Sequence, residues 1–307
     1  MKAIRQAFTE TLLALAHQNP KLAALATDSR GSVTLTEFAE QLPQQFVECG
    51  IAEQDAVGIA AGLANAGYIP FVCGPACFFS LRSAEQIKTD VAYSGSNVKI
   101  IGVSGGVSYG ILGATHHAVQ DIALMRAIPD IEIFLPADAE QMRALTAYLA
   151  RSGRPAYVRM GRAAVPDVYP EGQTFTPGRA MQVTEGNDVS ILACGEMVYT
   201  AVQTAKLLRQ RGISASVWDF FSIRPLDTQA LMQAAEAPLV VTLEEHSVHG
   251  GLGGAAAEVL IQRKPIRMVI LGLPDETLYH GDSADIKAHY GLDAEGVAQR
   301  VARELTL

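Results

Sequence analysis

Short apolar runs alternate with segments of helical period along nearly the whole chain. The runs predict strands at Leu22–Ala26, Phe46–Cys49, Ile69–Cys73, Val98–Val103, Ile131–Leu135, Ala156–Arg159, Val189–Ala193, Ala215–Asp219, Leu239–Leu243 and Arg267–Leu271. Between them the spacing predicts helices near 3–18, 52–66, 78–92, 138–151, 196–211, 227–236, 251–262 and 293–305. Apolar strands separated by amphipathic helices are the pattern of mainly parallel sheets covered on both faces, so an α/β fold is expected. Asp138 with Gln141 reads as a capping box, and Asp227 as the cap of the helix that follows Pro225.

The alternation breaks once, at Ala163–Gly178, where prolines and glycines replace any helical period. That stretch is expected to be a surface linker. It divides the chain into a first domain at 1–162, a linker at 163–178 and a second domain at 179–307, each expected to carry a parallel sheet with helices on both faces.

Composition narrows the function. The chain has 307 residues, 24 Lys+Arg against 32 Asp+Glu and a net charge of −8, with no basic block. This balance argues against nucleic acid or an anionic membrane as the main partner. Apolar residues make up 49% and charged ones 18%, which excludes disorder. Ala56 to Leu81 carries no charge, but glycines, Pro70 and Pro75 interrupt it, so it reads as a buried helix, a strand and a loop rather than a membrane span. Cys49, Cys73, Cys77 and Cys194 show no CxxC or metal-ligand spacing and read as reduced core thiols. The opening MKAIRQAFTETL has no apolar signal-peptide region, so a cytoplasmic location is expected.

Three clusters carry candidate chemistry. Glu53, in Gly50-Ile51-Ala52-Glu53-Gln54, follows a buried strand and opens an almost uncharged helix. Its carboxylate either complements the helix N-terminus or faces a cavity, where it can share a proton with a nitrogen base. The loop Gly105–Gly110, followed by Gly113-Ala114-Thr115-His116-His117, lies after a strand, at the end where open α/β sheets bind ligands. Its histidines, near Asp121, suit a polar substrate better than a metal, because carboxylate or cysteine ligands at suitable spacing are missing. Gly251-Leu252-Gly253-Gly254-Ala255-Ala256, with Asp275 beyond it, imitates a dinucleotide fingerprint but stands too far from its strand; close helix–sheet packing explains those glycines better. Phe78 and Phe79 fit a core, and Arg159 and Arg162 fit either an anion site or a solvated edge.

Together these segments resemble a known family. FVECGIAEQDAVGIAAGLANAGYIPF, SAEQIKTDVAY, VKIIGVSGGVSYGILGATHHAVQDIALMRAIPDIEIFLPADAEQ and PAYVRMGR resemble the pyrimidine-binding domain of thiamine-diphosphate enzymes in the transketolase group. VSILACGEMVYTA, FSIRPLD and VTLEEHSVHGGLGGAAAEVL resemble the family's C-terminal domain. Nothing resembles its diphosphate-binding domain, so the likeness is to the C-terminal subunit of a split transketolase. The resemblance implies a separate N-terminal subunit that carries Mg²⁺ or Ca²⁺ with the diphosphate, and an α2β2 assembly with self-association across a two-fold axis. It implies that Glu53 meets the pyrimidine ring, Phe78 stacks on it and Asp28 lies near it. It also implies that His116 meets the donor sugar's hydroxyls, and that Arg162, with Arg5 and Ser32, binds the sugar phosphate.

The chain departs from that family at Pro75, in place of a second phenylalanine, and at Ser104, in place of a histidine. Leu112 replaces an aspartate that reads a substrate hydroxyl, and Ser29 replaces a leucine beside the cofactor. The resemblance with these departures implies two-carbon ketol transfer on an altered sugar, in a dedicated sugar-degradation route. A deoxyxylulose-phosphate synthase fragment, a 2-oxoacid dehydrogenase beta-type subunit and a non-catalytic scaffold subunit are the other readings of the same features.

Overall fold

The computed structural model describes residues 1–306. Its larger sheet has seven strands in the order Ser222–Arg224, Glu132–Phe134, Ala156–Met160, Lys99–Val103, Ile69–Pro75, Leu22–Ala26 and Phe46–Glu48. All neighbours are parallel except Ser222–Arg224, which runs antiparallel to Glu132–Phe134. Side chains alternate between two apolar layers, as a pleated strand buried on both faces requires. Phe71, Ile101 and Val158 point toward Phe8, Leu12 and Met142, while Val72, Ile100 and Tyr157 point toward Val57, Ala60 and Phe79.

A second, five-stranded sheet has the order Met268–Leu273, Val240–Ser247, Val189–Ala193, Ala215–Asp219 and Met181–Thr184, the last antiparallel to its neighbour. Helices Met197–Gln210 and Ala294–Leu305 cover one face, and Leu252–Arg263 and Thr228–Ala234 cover the other. The α/β class with mainly parallel sheets is therefore the observed one. The expected cap at Asp227 forms, its carboxylate accepting from the Gln229 and Ala230 amides. Of the expected box only the Asp138 half forms, accepting from the Gln141 amide, while the Gln141 side-chain oxygen accepts from the Ala137 amide instead of that of Asp138.

Several expected elements differ. The helix expected over 78–92 starts earlier and breaks at Ser83, giving Ala76–Arg82, a short turn at Ala84–Gln86 and a π-helical stretch at Ile87–Tyr93. Helices at Thr36–Gln41, Asp121–Ala127 and Ser283–His289 were not expected. The stretch at 163–178 is held to the rest of the chain at several points. Ala164–Val165 pairs with Lys2–Ala3, the Asp138 carboxylate accepts from the Val168 and Tyr169 amides, and the Tyr169 hydroxyl donates to Asp219 at 2.7 Å. The edge strand Ser222–Arg224 also ties sequence beyond that stretch into the first sheet. Cys73, Cys77 and Cys194 are buried free thiols, whereas Cys49 is only half-buried. Among the described residues no helix is long and apolar enough to cross a membrane.

Candidate active site

The carboxyl ends of the parallel strands converge on one edge of the larger sheet. Leu22–Ala26 leads to Asp28, Phe46–Glu48 to Glu53, Ile69–Pro75 to Phe78, Lys99–Val103 to the loop bearing His116, and Ala156–Met160 to Arg162. That edge is where open α/β sheets take their ligands, because the loops there are free of sheet hydrogen bonding.

Glu53 is the first residue of helix Glu53–Asn65 and only 4% exposed. The free amides of the helix's first turn favour a carboxylate there. Its Oε2 accepts a hydrogen bond from Arg82 Nη1 at 3.0 Å, across an open cleft of about 460 Å³ between residues 51–55 and Arg82. The Arg82 guanidinium lies 4.0 Å over the Phe78 ring. Phe78 stands edge-on to His116 at 5.2 Å, His116 edge-on to Tyr109 at 5.4 Å, and Arg162 lies 5.1 Å over Tyr109. Glu53, Arg82, Phe78, His116, Tyr109 and Arg162 therefore form one continuous row. The His116 Nδ1 is held by the Thr115 hydroxyl at 2.9 Å, which fixes the ring and leaves its other nitrogen for a ligand.

At the far end of the row a second cleft, of about 770 Å³, is lined by Arg5, Arg162, Tyr109 and Leu112 among others. Arg5 Nη1 donates to the Ser32 carbonyl at 2.6 Å, so Ser32 positions Arg5 through its backbone. Burial, and then repulsion from Arg162, lower the Arg5 pKa. Two guanidiniums crowded in this way concentrate positive potential where an anion would sit.

Not every candidate joins the row. Asp28 is exposed, in the left-handed region with φ 51, and lines neither cleft. Its amide donates to the Glu48 carboxylate, which ties this loop to the one before Glu53. Arg159 is neither an anion site nor a solvated edge: it is buried, 3.5 Å from Asp121, and donates to the Glu245 carbonyl. His117 is buried with its Nε2 against the Gly110 carbonyl, and burial lowers its pKa, so it is structural. Among the described residues no group of three or more His, Cys, Asp or Glu is placed to hold a metal ion.

The departures occupy different positions. Pro75 caps helix Ala76–Arg82 with extended backbone. Ser104 is fully buried at φ 61, a costly conformation for a non-glycine residue, and points into the protein. Ser29 is half-buried, while Leu112 is 52% exposed in the large cleft. The glycines near 251 serve packing. The Glu244 carboxylate accepts from the Leu252 and Gly253 amides, filling the helix N-terminus that a dinucleotide would need, and a Cβ on Gly253 would meet Ile270 and Thr242.

Arg82, Tyr109 and Lys287, which also lines the large cleft, were not singled out from the sequence. Arg82 left a trace: it is the first charge after the uncharged run from Ala56 to Leu81, whose start lies beside Glu53.

Comparison with known proteins identifies the family. Residues 1–167 match the family described as transketolase, pyrimidine binding domain, and residues 178–297 match transketolase, C-terminal domain. The chain is 54% identical over 301 residues to one subunit of the apulose-4-phosphate transketolase of Phocaeicola vulgatus, covering 97% of this chain and 96% of that one. It is 35% identical over 304 residues to 6-deoxy-6-sulfo-D-fructose transketolase subunit SqwH of Clostridium sp. strain MSTE9, covering 99% and 94%. Among solved structures, a split-gene transketolase described as an inactive β4 tetramer matches with a TM-score of 0.91 at 41% identity, over 100% of this chain and 99% of that one.

Proposed function

The chain belongs to the transketolase family, and we propose that it is the C-terminal subunit of a split enzyme that moves a two-carbon ketol unit from a ketose phosphate to an aldose acceptor. The observation that carries this reading is the buried Glu53 carboxylate, opening on a cleft beside the Phe78 ring. A desolvated acceptor next to an aromatic face has the chemistry an aminopyrimidine requires, so the pyrimidine half of thiamine diphosphate fits these residues. In this reading Mg²⁺ or Ca²⁺ and the diphosphate are held by an N-terminal partner subunit, the assembly is α2β2, and the enzyme is cytoplasmic. The first domain, 1–162, joins through 163–178 to the second, 179–307.

Thiamine diphosphate supplies the carbanion nucleophile when bound. Glu53 holds a proton at the pyrimidine ring nitrogen, and Phe78 offers its face to the ring. His116, oriented by Thr115, meets the donor sugar's hydroxyls. Arg162, and Arg5 anchored on Ser32, take the phosphate through charge-assisted bonds. Asp28 would act on the cofactor only from outside both clefts, through the loop that Glu48 ties to Gly50. Leu112 on the cleft wall supports an altered sugar, and apulose 4-phosphate, named for the 54% identical relative, is the first donor to try.

The test is calorimetric titration of thiamine diphosphate with Mg²⁺ into the chain alone and into its complex with the N-terminal subunit, followed by ketol-transfer assays on the complex. Binding and turnover only in the complex are expected. Tight binding by the lone chain, or pyruvate decarboxylation in place of ketol transfer, overturns the proposal.

A further inference from the structure

The large cleft beside Arg162 is closed by the second domain as well as the first. Its opposite wall is the segment from Gly281 to Ala284 together with Lys287. This wall is locked against the His116 loop. A side chain at Gly110 would run into the Gly281 carbonyl, so glycine there permits the close approach, while Gly113 takes a left-handed φ of 71 beside His280. Helix Ser283–His289 is capped by Asp282 and pinned by the fully buried Ile286, which holds Lys287 at a fixed place on the cleft.

Lys287 has a neighbour of opposite charge but is not consumed by it. Its Nζ stands 3.6 Å from Glu245 Oε2, longer than a charge-assisted hydrogen bond of about 2.7–2.9 Å, and its side chain keeps 24% of its exposure. Glu245 spends its other oxygen on the Val107 amide at 2.7 Å. Glu245 also holds the Lys287 pKa above the usual lysine range, so the ammonium stays charged. Arg5, Arg162 and Lys287 thus present cations to the cleft from two domains; Asp282 is the carboxylate among the lining residues, and Glu245 and Glu196 act on Lys287 from outside that lining.

We propose that Lys287 is a specificity-determining residue that binds the tetrahedral anion, phosphate or sulfonate, at the far end of the substrate, giving the second domain a direct part in substrate selection. This rests on the ketol-transfer reading and adds to it a ligand contributed from outside the pyrimidine-binding half. An ammonium is a rotatable point charge and can follow anions on substrates of different length, whereas the Arg5 guanidinium is fixed by its bond to Ser32.

The experiment uses Lys287→Met and Lys287→Arg in the complex with the N-terminal subunit. Acceptors are glyceraldehyde 3-phosphate and the uncharged glycolaldehyde. With the ketose-phosphate donor saturating for each protein, Lys287→Met is expected to raise KM for the phosphorylated acceptor about tenfold, with the glycolaldehyde KM unchanged, and Lys287→Arg to recover most of the loss. Calorimetric binding of glycerol 3-phosphate and of 2,3-dihydroxypropane-1-sulfonate is compared in the same proteins; the anion whose affinity falls in Lys287→Met is the one the site takes. Equal losses on both acceptors, or anion affinities that do not change, overturn the proposal. If the wild-type complex transfers no ketol unit even to glycolaldehyde, the ketol-transfer reading fails, and the anion titrations still decide the role of Lys287.

Discussion

Arg82 Nη1 meets Glu53 Oε2 at 3.0 Å while its guanidinium covers the face of Phe78 at 4.0 Å. One cation therefore occupies both surfaces proposed for the pyrimidine, the acceptor and the aromatic face. Glu53 is buried and Arg82 is half-exposed, so the pair is asymmetric: the carboxylate is fixed and the guanidinium is free to swing into solvent. Such a pair keeps the carboxylate compensated in the free subunit without burying a second charge.

Replacing Glu53 by Gln keeps the volume and removes the charge. In the reconstituted complex the rate of ketol transfer is expected to fall at least ~100-fold, the scale of losing one preorganised electrostatic contact to the reacting group. Steady-state kinetics on the complex gives the rate, and calorimetry shows whether cofactor is still taken up. An unchanged rate returns the chain to the scaffold reading.

Arg82→Met removes the partner of a buried carboxylate. Because Arg82 is half-exposed, solvent screens much of the interaction, and a loss of about 1 kcal/mol is expected for the free subunit. Urea unfolding of the two proteins at pH 7 measures it. A variant as stable as the parent would show that the pair contributes nothing in solution.

Much of this fold is legible in the sequence because parallel strands buried on both faces are short, uninterrupted apolar runs; Leu22–Ala26, Val189–Ala193 and Ala215–Asp219 fall where the pattern predicts. Ser222–Arg224 escapes notice because its pairing with Glu132–Phe134 is a tertiary fact, and so short a strand has no period of its own. The break at Ser83 escapes for a different reason: the buried Ile87 and Val91 stand four residues apart, a spacing an α-helix also shows, so 78–92 reads as unbroken. Within the site, Glu53 and the histidine pair were candidates from their motifs and Phe78 from the family resemblance alone, and the row they form needed the folded chain. Lys287 lies 125 residues beyond Arg162 in a segment with no motif, and only the packing of Gly110 on Gly281 brings it near.

Leu112 tests the altered-sugar reading. It is exposed in the cleft, so Leu112→Asp is expected to change stability by less than about 0.5 kcal/mol. A carboxylate there gains a hydrogen bond only to substrates with a hydroxyl within reach. Relative kcat/KM is expected to shift about tenfold toward 2-hydroxy aldose phosphates over their 2-deoxy counterparts. Competition between ribose 5-phosphate and 2-deoxyribose 5-phosphate reads the ratio directly, and a ratio unchanged from wild type removes Leu112 from the specificity set.

Glu196 sets a pH dependence that is independent of catalysis. Its Oε1 is sealed from solvent without a hydrogen-bond partner, and a Cβ on Gly161 would run into the carboxyl, so the glycine admits it to the junction. Burial, reinforced by Glu245 and partly offset by Lys287 and Arg159, pushes its pKa up to about 7 from 4.5. The folded chain therefore keeps a proton that the unfolded chain releases between those values, so this group's contribution to stability is complete below about pH 4.5 and is lost as pH rises through 7. Asp219, pushed up to about 7 by burial, acts in the same direction, so the wild-type profile alone does not isolate Glu196. The comparison does: Glu196→Gln keeps the shape and cannot ionise. Its stability relative to wild type is expected to rise by roughly 1–3 kcal/mol between pH 5 and pH 8, measured by urea unfolding. Parallel profiles for the two proteins would mean that Glu196 titrates in the folded state as it does in water, with solvent reaching the junction.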